Sequence, residues 1–313
     1  MRKKLITGII VGLVLFSLAA AVAVKGNNQV GAKAVGTGEQ IAVIHIEGPI
    51  MSTEPGGFGA TGVAAADRIV ADLKEARENP NIKAVILKLN TGGGTVVGSD
   101  EIGREVDRVK KAGKKVVASM GEMAASGGYW ISCKADKIVA NPGTFTGSIG
   151  VIMQLTKMKG LYDKLGVEMY NFKTGPHKDM GATNRDVTPE EQEIFQGLVN
   201  DTYEDFVKVV ADGRKMDVDR VRQLADGRIY TGKQAKELGL VDELGDFTTA
   251  VKVTADLAKI KGEPELVDIT GSRNIWQDIF GGLQGKGNVL PFPLEGLLFM
   301  PDPALLPMNA ELQ

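Results

Sequence analysis

Cysteine is almost missing from this chain: 313 residues hold one, Cys133. A single thiol excludes an internal disulfide framework and any multi-cysteine zinc or iron–sulfur centre. Histidine is equally scarce, with only His45 and His177, so no metal site and no cofactor are expected. A basic excess is lacking too. Residues 1–25 contain four of the 37 lysines and arginines (Arg2, Lys3, Lys4, Lys25) and none of the 39 acids. The remainder carries 33 basic against 39 acidic residues, a net of −6, which argues against nucleic acid as a partner. Several catalytic signatures are absent: there is no phosphate-cradling P-loop, no HExxH, no strict Gly-x-Ser-x-Gly and no Ser-x-x-Lys. What remains is an ordinary globular composition, 43% apolar and 24% charged, with length for about two domains at ~150 residues each.

The N-terminus reads as a membrane address. Leu5 to Val24 is a run of 20 residues without a charge, preceded by Arg2-Lys3-Lys4. As a helix it spans about 30 Å, the thickness of a bilayer's hydrocarbon core. The charge asymmetry places the N-terminus in the cytoplasm and the body outside it, at the cell membrane. A cleaved signal peptide is the alternative, since Ala19 to Ala23 resembles a cleavage region. Its apolar stretch usually runs ~7–15 residues, so a retained anchor is the better reading. Residues 1–25 are therefore the anchor and 26–39 a linker.

The body alternates strand and helix. Strands are expected at 41–46, 82–89, 115–119 and 137–140, with a glycine-rich loop at 53–62. Helices are expected at 64–76, stopped by Asn79-Pro80, and at 188–215, opened by the N-cap Thr188 with Pro189 at its first position. Repeated βα units with glycine-rich turns after the strands argue for an α/β fold of wound parallel strands, whose ligands collect at strand ends. The tail differs: five of the 12 prolines fall in the final 23 residues, among leucines and phenylalanines. So many prolines forbid a long helix. The tail either packs on its own domain or a neighbouring subunit, or lies extended in a peptide groove.

Two turns could carry chemistry. Ser126, in Ala124-Ala125-Ser126-Gly127-Gly128, follows a strand and precedes a helix, so small neighbours allow an exposed hydroxyl. The Gly127 N–H would point from the helix start toward an oxyanion. One strand earlier, Gly92-Gly93-Gly94 can approach a substrate closely and donate a second N–H. A triad histidine would have to be His45, mid-strand, or His177, and neither sits in a recognisable triad motif. Cys133 is read as a buried small hydrophobe, and the charges of helix 188–215 as its solvated face.

Together these motifs resemble a family. Leu89-Asn90-Thr91-Gly92-Gly93-Gly94, Met123 to Trp130, Thr146 to Val151, Gly175-Pro176-His177-Lys178-Asp179, Ala225 to Gly232 and Leu240 to Gly245 stand in the order of bacterial signal peptide peptidase A. The resemblance covers roughly residues 40–250 and extends to the N-terminal anchor. It implies a ClpP/crotonase-type α/β fold of repeated ββα/βα units over 40–270, behind one transmembrane helix and followed by the proline-rich tail 271–313. It also implies a membrane-anchored serine protease of the half-length type with a Ser–Lys dyad. Carried over by position, Ser126 matches the nucleophile, Lys178 the general base, Gly93, Gly94 and Gly127 the oxyanion hole, and Ser148 a hydroxyl that orients the lysine. The implied substrates are remnant signal peptides and other unfolded apolar peptides, and the implied assembly is a homo-oligomeric ring. One departure is visible: Thr91-Gly92 stands where the family usually has Ser-Pro, which is expected to loosen that turn.

The chemistry sets a condition. A lysine near pKa 10.4 is protonated at pH 7 and cannot accept a proton; burial among apolar groups lowers that value. Asp179 must then point away from Lys178. His177 is the rival base. A crotonase-type acyl-CoA enzyme and an inactive scaffold are the alternative functions.

Overall fold

The computed structural model describes residues 39–54 and 62–269. The 5–24 run, the linker up to residue 38, most of the 53–62 loop and the proline-rich tail lie outside the described residues. Among the described residues, no helix is long and apolar enough to cross a membrane.

The chain enters through β1 (Gln40–Glu47), the short parallel pair β2 (Ile50–Met51) and β3 (Ala64–Ala65), and helix α1 (Ala66–Glu78). It continues through β4 (Ile82–Thr91), α2 (Val96–Lys111), β5 (Lys115–Ala125), α3 (Gly127–Cys133), β6 (Lys137–Ala140) and β7 (Phe145–Gly147). After an extended stretch come α4 (Lys159–Leu165), α5 (Pro189–Arg214) and α6 (Val218–Leu224). The rest comprises β8 (Ile229–Thr231), α7 (Gly232–Glu237), β9 (Glu243–Leu244), α8 (Phe247–Ala258) and β10 (Glu265–Asp268). The main sheet runs β10-β1-β4-β5-β6-β9 with every pair parallel.

Strand periodicity sorts the side chains into two layers. Ala42, Ile44 and Ile46, with Val85, Leu87, Leu89, Val116 and Ala118, join a core that includes Leu73 of α1, Ile102 of α2, Trp130 of α3 and Phe206 of α5. The alternate residues Ile41, Ala84, Ile86 and Val117 lie in clusters with residues of α8. Both faces are covered, so the strands read as continuous apolar runs and not as an alternating pattern. Each large side chain fully buried here, such as Leu87, stabilises the fold by about 2 kcal/mol.

The expected strands are all present, and α1 ends at Glu78 before Asn79-Pro80 as its sequence requires. One reading is corrected. Gly121 to Ala125, expected as part of a turn, is the second half of β5. That half leaves β6, which pairs only with Val117 to Met120, and takes β7 as its partner at Met123↔Phe145, Ala124↔Thr146 and Ala125↔Gly147. The local sequence shows no strand there because the partner is supplied from twenty residues further on. β7 in turn pairs antiparallel with β8, so β5 forks the sheet and delivers Ser126 at the top of the fork.

Candidate active site

Ser126 is the hinge between β5 and α3. Its backbone sits at φ 51° and ψ −119°, a conformation that L-residues rarely adopt and that costs about 1–3 kcal/mol. The surroundings hold it there. Its N–H donates to Gly147 O (2.9 Å), and its carbonyl accepts from Trp130 N (2.9 Å). As N-cap residue its side chain makes no capping bond, which leaves the hydroxyl available.

Two unpartnered N–H groups lie close together beside it. A Cβ added at Gly127 would lie 3.3 Å from Gly94 N and 2.3 Å from Ser99 Oγ. Among the described residues neither the Gly94 nor the Gly127 N–H has a hydrogen-bond partner. Gly94 has no room for a side chain: its Cβ would fall 2.0 Å from Ile50 O, because Gly94 bridges to Ile50 through Ile50 N–H to Gly93 O (2.9 Å) and Thr95 N–H to Ile50 O (2.8 Å). Gly93, at φ 100°, passes so close to Ser126 that a Cβ would lie 2.7 Å from Gly127 N. Its own N–H is committed to Thr91 Oγ1 (3.0 Å). Of the three glycines read from the sequence, Gly94 and Gly127 present free donors, and Gly93 permits the close approach.

The Thr91-Gly92 departure does not loosen this turn. The buried Thr91 hydroxyl donates to Gly48 O (2.6 Å) while accepting from Gly93 N. It pins the loop by side-chain bonding where a proline would pin it by its ring.

A cavity of about 100 Å³ opens beside Ser126. Gly94, Ser99, Gly127, Trp130, Ile152 and Phe206 are among its lining residues, and none of the residues lining it is charged. Trp130 and Phe206 stack with ring centroids 5.1 Å apart at 48°. Trp130, Phe206 and Ser99 are site residues that the sequence reading did not select. Trp130 follows Ser126 at helical spacing and closes the Met123 to Trp130 motif, whereas Phe206, in α5, has no sequence relation to either turn.

Lys178 is elsewhere in this chain. It lies on a run of turns at 176–181, is exposed, and is not among the residues lining the Ser126 cavity. Ser148 adjoins Ser126 through Gly147 and has a positive φ of 49°, with its N–H on Arg228 O (2.8 Å). No hydrogen bond among the described residues joins the Ser148 hydroxyl to Lys178. Among the described residues Asp179 makes no ion pair with Lys178. Arg185 and Lys173 take its carboxylate, and the Arg185 guanidinium holds it well below the usual carboxylate range. Arg185 also grips Glu191, which is buried at 2% exposure and drawn down to about 2 by that guanidinium. This corrects the expectation that the charges of α5 form only a solvated face. Glu191 closes a capping box with Thr188, the residue expected as the N-cap.

The remaining candidates are likewise not among the residues lining the Ser126 cavity of their own chain. His177 Nε2 sits 3.5 Å from Glu190, outside the Ser126 cavity. His45 stays in β1 between Glu47 and Asp268, at 3.1 Å from each. Cys133 is buried, which pushes its thiol up to about 12 and keeps it protonated and unreactive.

The sequence pattern of peptidase family S49 matches residues 108–261, a stretch holding Ser126, Ser148 and Lys178. The chain is 41% identical over 227 residues to Protease 4 of Salmonella typhi, covering 72% of this chain but only 36% of that protein. It therefore spans about a third of that relative's length. An Enterococcus faecium protein named as a signal peptide peptidase of the SppA type is 37% identical over 248 residues, 78% of this chain and 70% of its own. The chloroplastic serine protease SPPA of Arabidopsis thaliana is 33% identical over 264 residues, 83% of this chain and 39% of its own. A chain so matched, with a strained serine facing two free amides, belongs to peptidase family S49, the signal peptide peptidase A family.

Proposed function

We propose that this chain is a serine endopeptidase with Ser126 as nucleophile, Lys178 as general base, and the Gly94 and Gly127 amides as oxyanion hole. The observation that carries the reading is the pair of free N–H groups close together beside a serine held in a strained turn. Ser126 Oγ attacks the scissile carbonyl carbon, and its proton passes to Lys178 Nζ. Negative charge gathers on the carbonyl oxygen between the two amides, an electrostatic contribution of the kind worth 10²–10³ in rate per donor. Collapse breaks the C–N bond, and the ammonium returns its proton to the leaving amine. Water then repeats the attack on the acyl-enzyme, with the lysine again as base.

The base is delivered from a second copy. Within one chain Lys178 is exposed and outside the cavity, while the segment before it leaves Ile152 87%, Tyr170 76% and Phe172 99% exposed. Monomeric proteins seldom leave such apolar groups uncovered. Closure of copies into a homo-oligomeric ring would cover them and bring each lysine to a neighbour's serine. The cavity it would enter is lined by no charged side chain. Ser148, beside the serine, is placed to orient the incoming amine. The uncharged Leu5 to Val24 run supports an anchor in the cell membrane, with the protease domain outside the cytoplasm. Remnant signal peptides and other unfolded apolar peptides are then the substrates, in keeping with the small apolar cavity and the relatives' names.

The test is hydrolysis of a fluorogenic apolar peptide by the full chain in detergent. Ser126→Ala and Lys178→Ala are each expected to be silent, and the wild-type rate to rise toward alkaline pH. Co-assembly of the two dead variants in equal amounts should restore about a quarter of wild-type activity, since a quarter of randomly mixed sites hold both intact residues. No recovery on mixing refutes the shared dyad. Turnover that survives Ser126→Ala points to a crotonase-type reaction.

A further inference from the structure

Lys178 is followed directly by a carboxylate, and what that carboxylate does decides whether the lysine can work. Asp179 is held at both oxygens. Arg185 Nη2 donates to Oδ1 (2.8 Å) and Nε to Oδ2 (3.2 Å); Lys173 Nζ adds a bond to Oδ1 (2.7 Å) and the Asn171 amide one to Oδ2 (3.4 Å). The other edge of the same guanidinium takes both oxygens of Glu191, at 2.9 and 2.6 Å. Its remaining donations go to the carbonyls of Asp179 (3.0 Å) and Asp186 (2.9 Å). Every N–H direction of Arg185 is thus committed, to the residue after Lys178 on one side and to the first turn of α5 on the other. Glu191 is itself fixed by the capping box with Thr188. From there α5 runs as one helix to Phe206, which stacks on Trp130 four residues beyond Ser126.

We propose that Arg185 is a positioning residue for the Lys178 base: it holds the Asp179 carboxylate on itself, away from the amine, and ties the lysine's turn to the first turn of α5 in the same chain. The inference rests on the reading of Lys178 as the base. A free carboxylate at residue 179 would stabilise the ammonium form, and an opposite charge within reach raises a lysine's pKa by about 1–3 units. The other charged groups around the turn are already matched. Asp186 pairs with Lys157, Glu190 lies beside His177 Nε2, and Lys173 also holds the Pro176 carbonyl. The neighbouring copy's cavity offers no charged side chain. Asp179 is the carboxylate next to the lysine in the chain, and Arg185 is the one residue that donates to both of its oxygens, Lys173 and Asn171 holding one each.

The experiment compares full-length wild type, Lys178→Ala, Arg185→Gln, Arg185→Gln with Asp179→Asn, and Arg185→Lys. It reads kcat, KM and the alkaline limb of the pH–rate profile on one fluorogenic apolar peptide, with melting temperature and elution volume as controls. In Arg185→Gln, Oδ2 keeps only the Asn171 amide. The limb is expected to move up by about one pH unit, and kcat at pH 8 to fall about tenfold with KM unchanged. Adding Asp179→Asn should return the limb to its wild-type position, while kcat stays lowered because the tie to α5 is still lost. Arg185→Lys retains a charge but cannot fork two carboxylates, so it should keep the limb and lose rate. If Arg185→Gln does not fold, Arg185→Lys decides alone: a displaced limb there overturns the proposal. A rate loss with no displacement of the limb in Arg185→Gln, or a displacement that Asp179→Asn does not reverse, also overturns it. Full activity in Lys178→Ala is a different failure: it removes the reading of the base on which the inference rests.

Discussion

Substituting Gly127 by alanine separates the stability of the site from its chemistry. The new Cβ would meet Ser99 Oγ at 2.3 Å, Gly94 N at 3.3 Å and Ile50 Cδ1 at 3.4 Å. Ser99 is fully enclosed and donates to Thr95 O (2.9 Å), so its hydroxyl must leave that bond to make way. Overpacking of this kind costs about 1–3 kcal/mol and the lost hydrogen bond about 1. A total near 3 kcal/mol lowers Tm by about 6–12 °C in a domain of this size. Ser99→Ala removes the obstructing oxygen. The double variant should therefore melt within about 4 °C of wild type, the residue being the single lost bond. Activity should not follow. The methyl still lies 3.3 Å from Gly94 N, crowding a donor that an oxyanion has to approach to 2.7–3.1 Å. Peptide turnover by the double variant is expected to remain about 10²–10³ below wild type. Differential scanning calorimetry and a kcat measurement on the same preparation make the comparison. Recovery of both stability and turnover to within tenfold would refute the placement of the oxyanion between Gly94 and Gly127.

Three further outcomes are expected. Ser126→Gly should abolish hydrolysis yet raise Tm, because glycine adopts the φ 51° backbone without the side-chain penalty of about 1 kcal/mol or more; thermal melts check it, and a fall in Tm would count against strain at the turn. Phe206→Ala removes a 3%-exposed ring that packs on Trp130, and chemical denaturation should show a loss of about 3–5 kcal/mol. The Arg185 clamp should be insensitive to mild acid. Asp179 and Glu191 are held below their unfolded values, so their contribution is complete above about pH 5 and is lost as pH falls through the folded values, Glu191 near 2. The Tm difference between wild type and Arg185→Gln should accordingly be constant from pH 8 to 5 and shrink below pH 4.

The parallel sheet was legible because its strands are buried on both faces. Runs such as Ala84-Val85-Ile86-Leu87, bounded by Asn79-Pro80 and Gly92-Gly93-Gly94, announce themselves without knowledge of partners. Helix α5 was legible from its cap. The upper half of β5 was not, because Met123 to Ala125 is a strand only by virtue of β7. Within the site, Ser126, Gly94 and Gly127 could be found because small residues at a strand end have few other reasons to cluster. Trp130 and Phe206 could not, since aromatic residues at helical spacing look like core, which they also are. Arg185 was invisible for another reason: nothing in a string of residues shows that one guanidinium spans two carboxylates on either side of it in the chain.

A nucleophile's cavity without a charged group, and a lysine left in solvent on the same chain, bear on when such a protein is harmful. On the proposed reading, a newly made copy carries half of two different sites and a complete set of none. It can fold, travel and meet folded proteins in the meantime without cutting them. Proteolysis begins only on encounter between copies, so its onset is second order in protein and dilution alone returns the system to safety. Control of this kind is written into stoichiometry, and its threshold is the dissociation constant of the assembly.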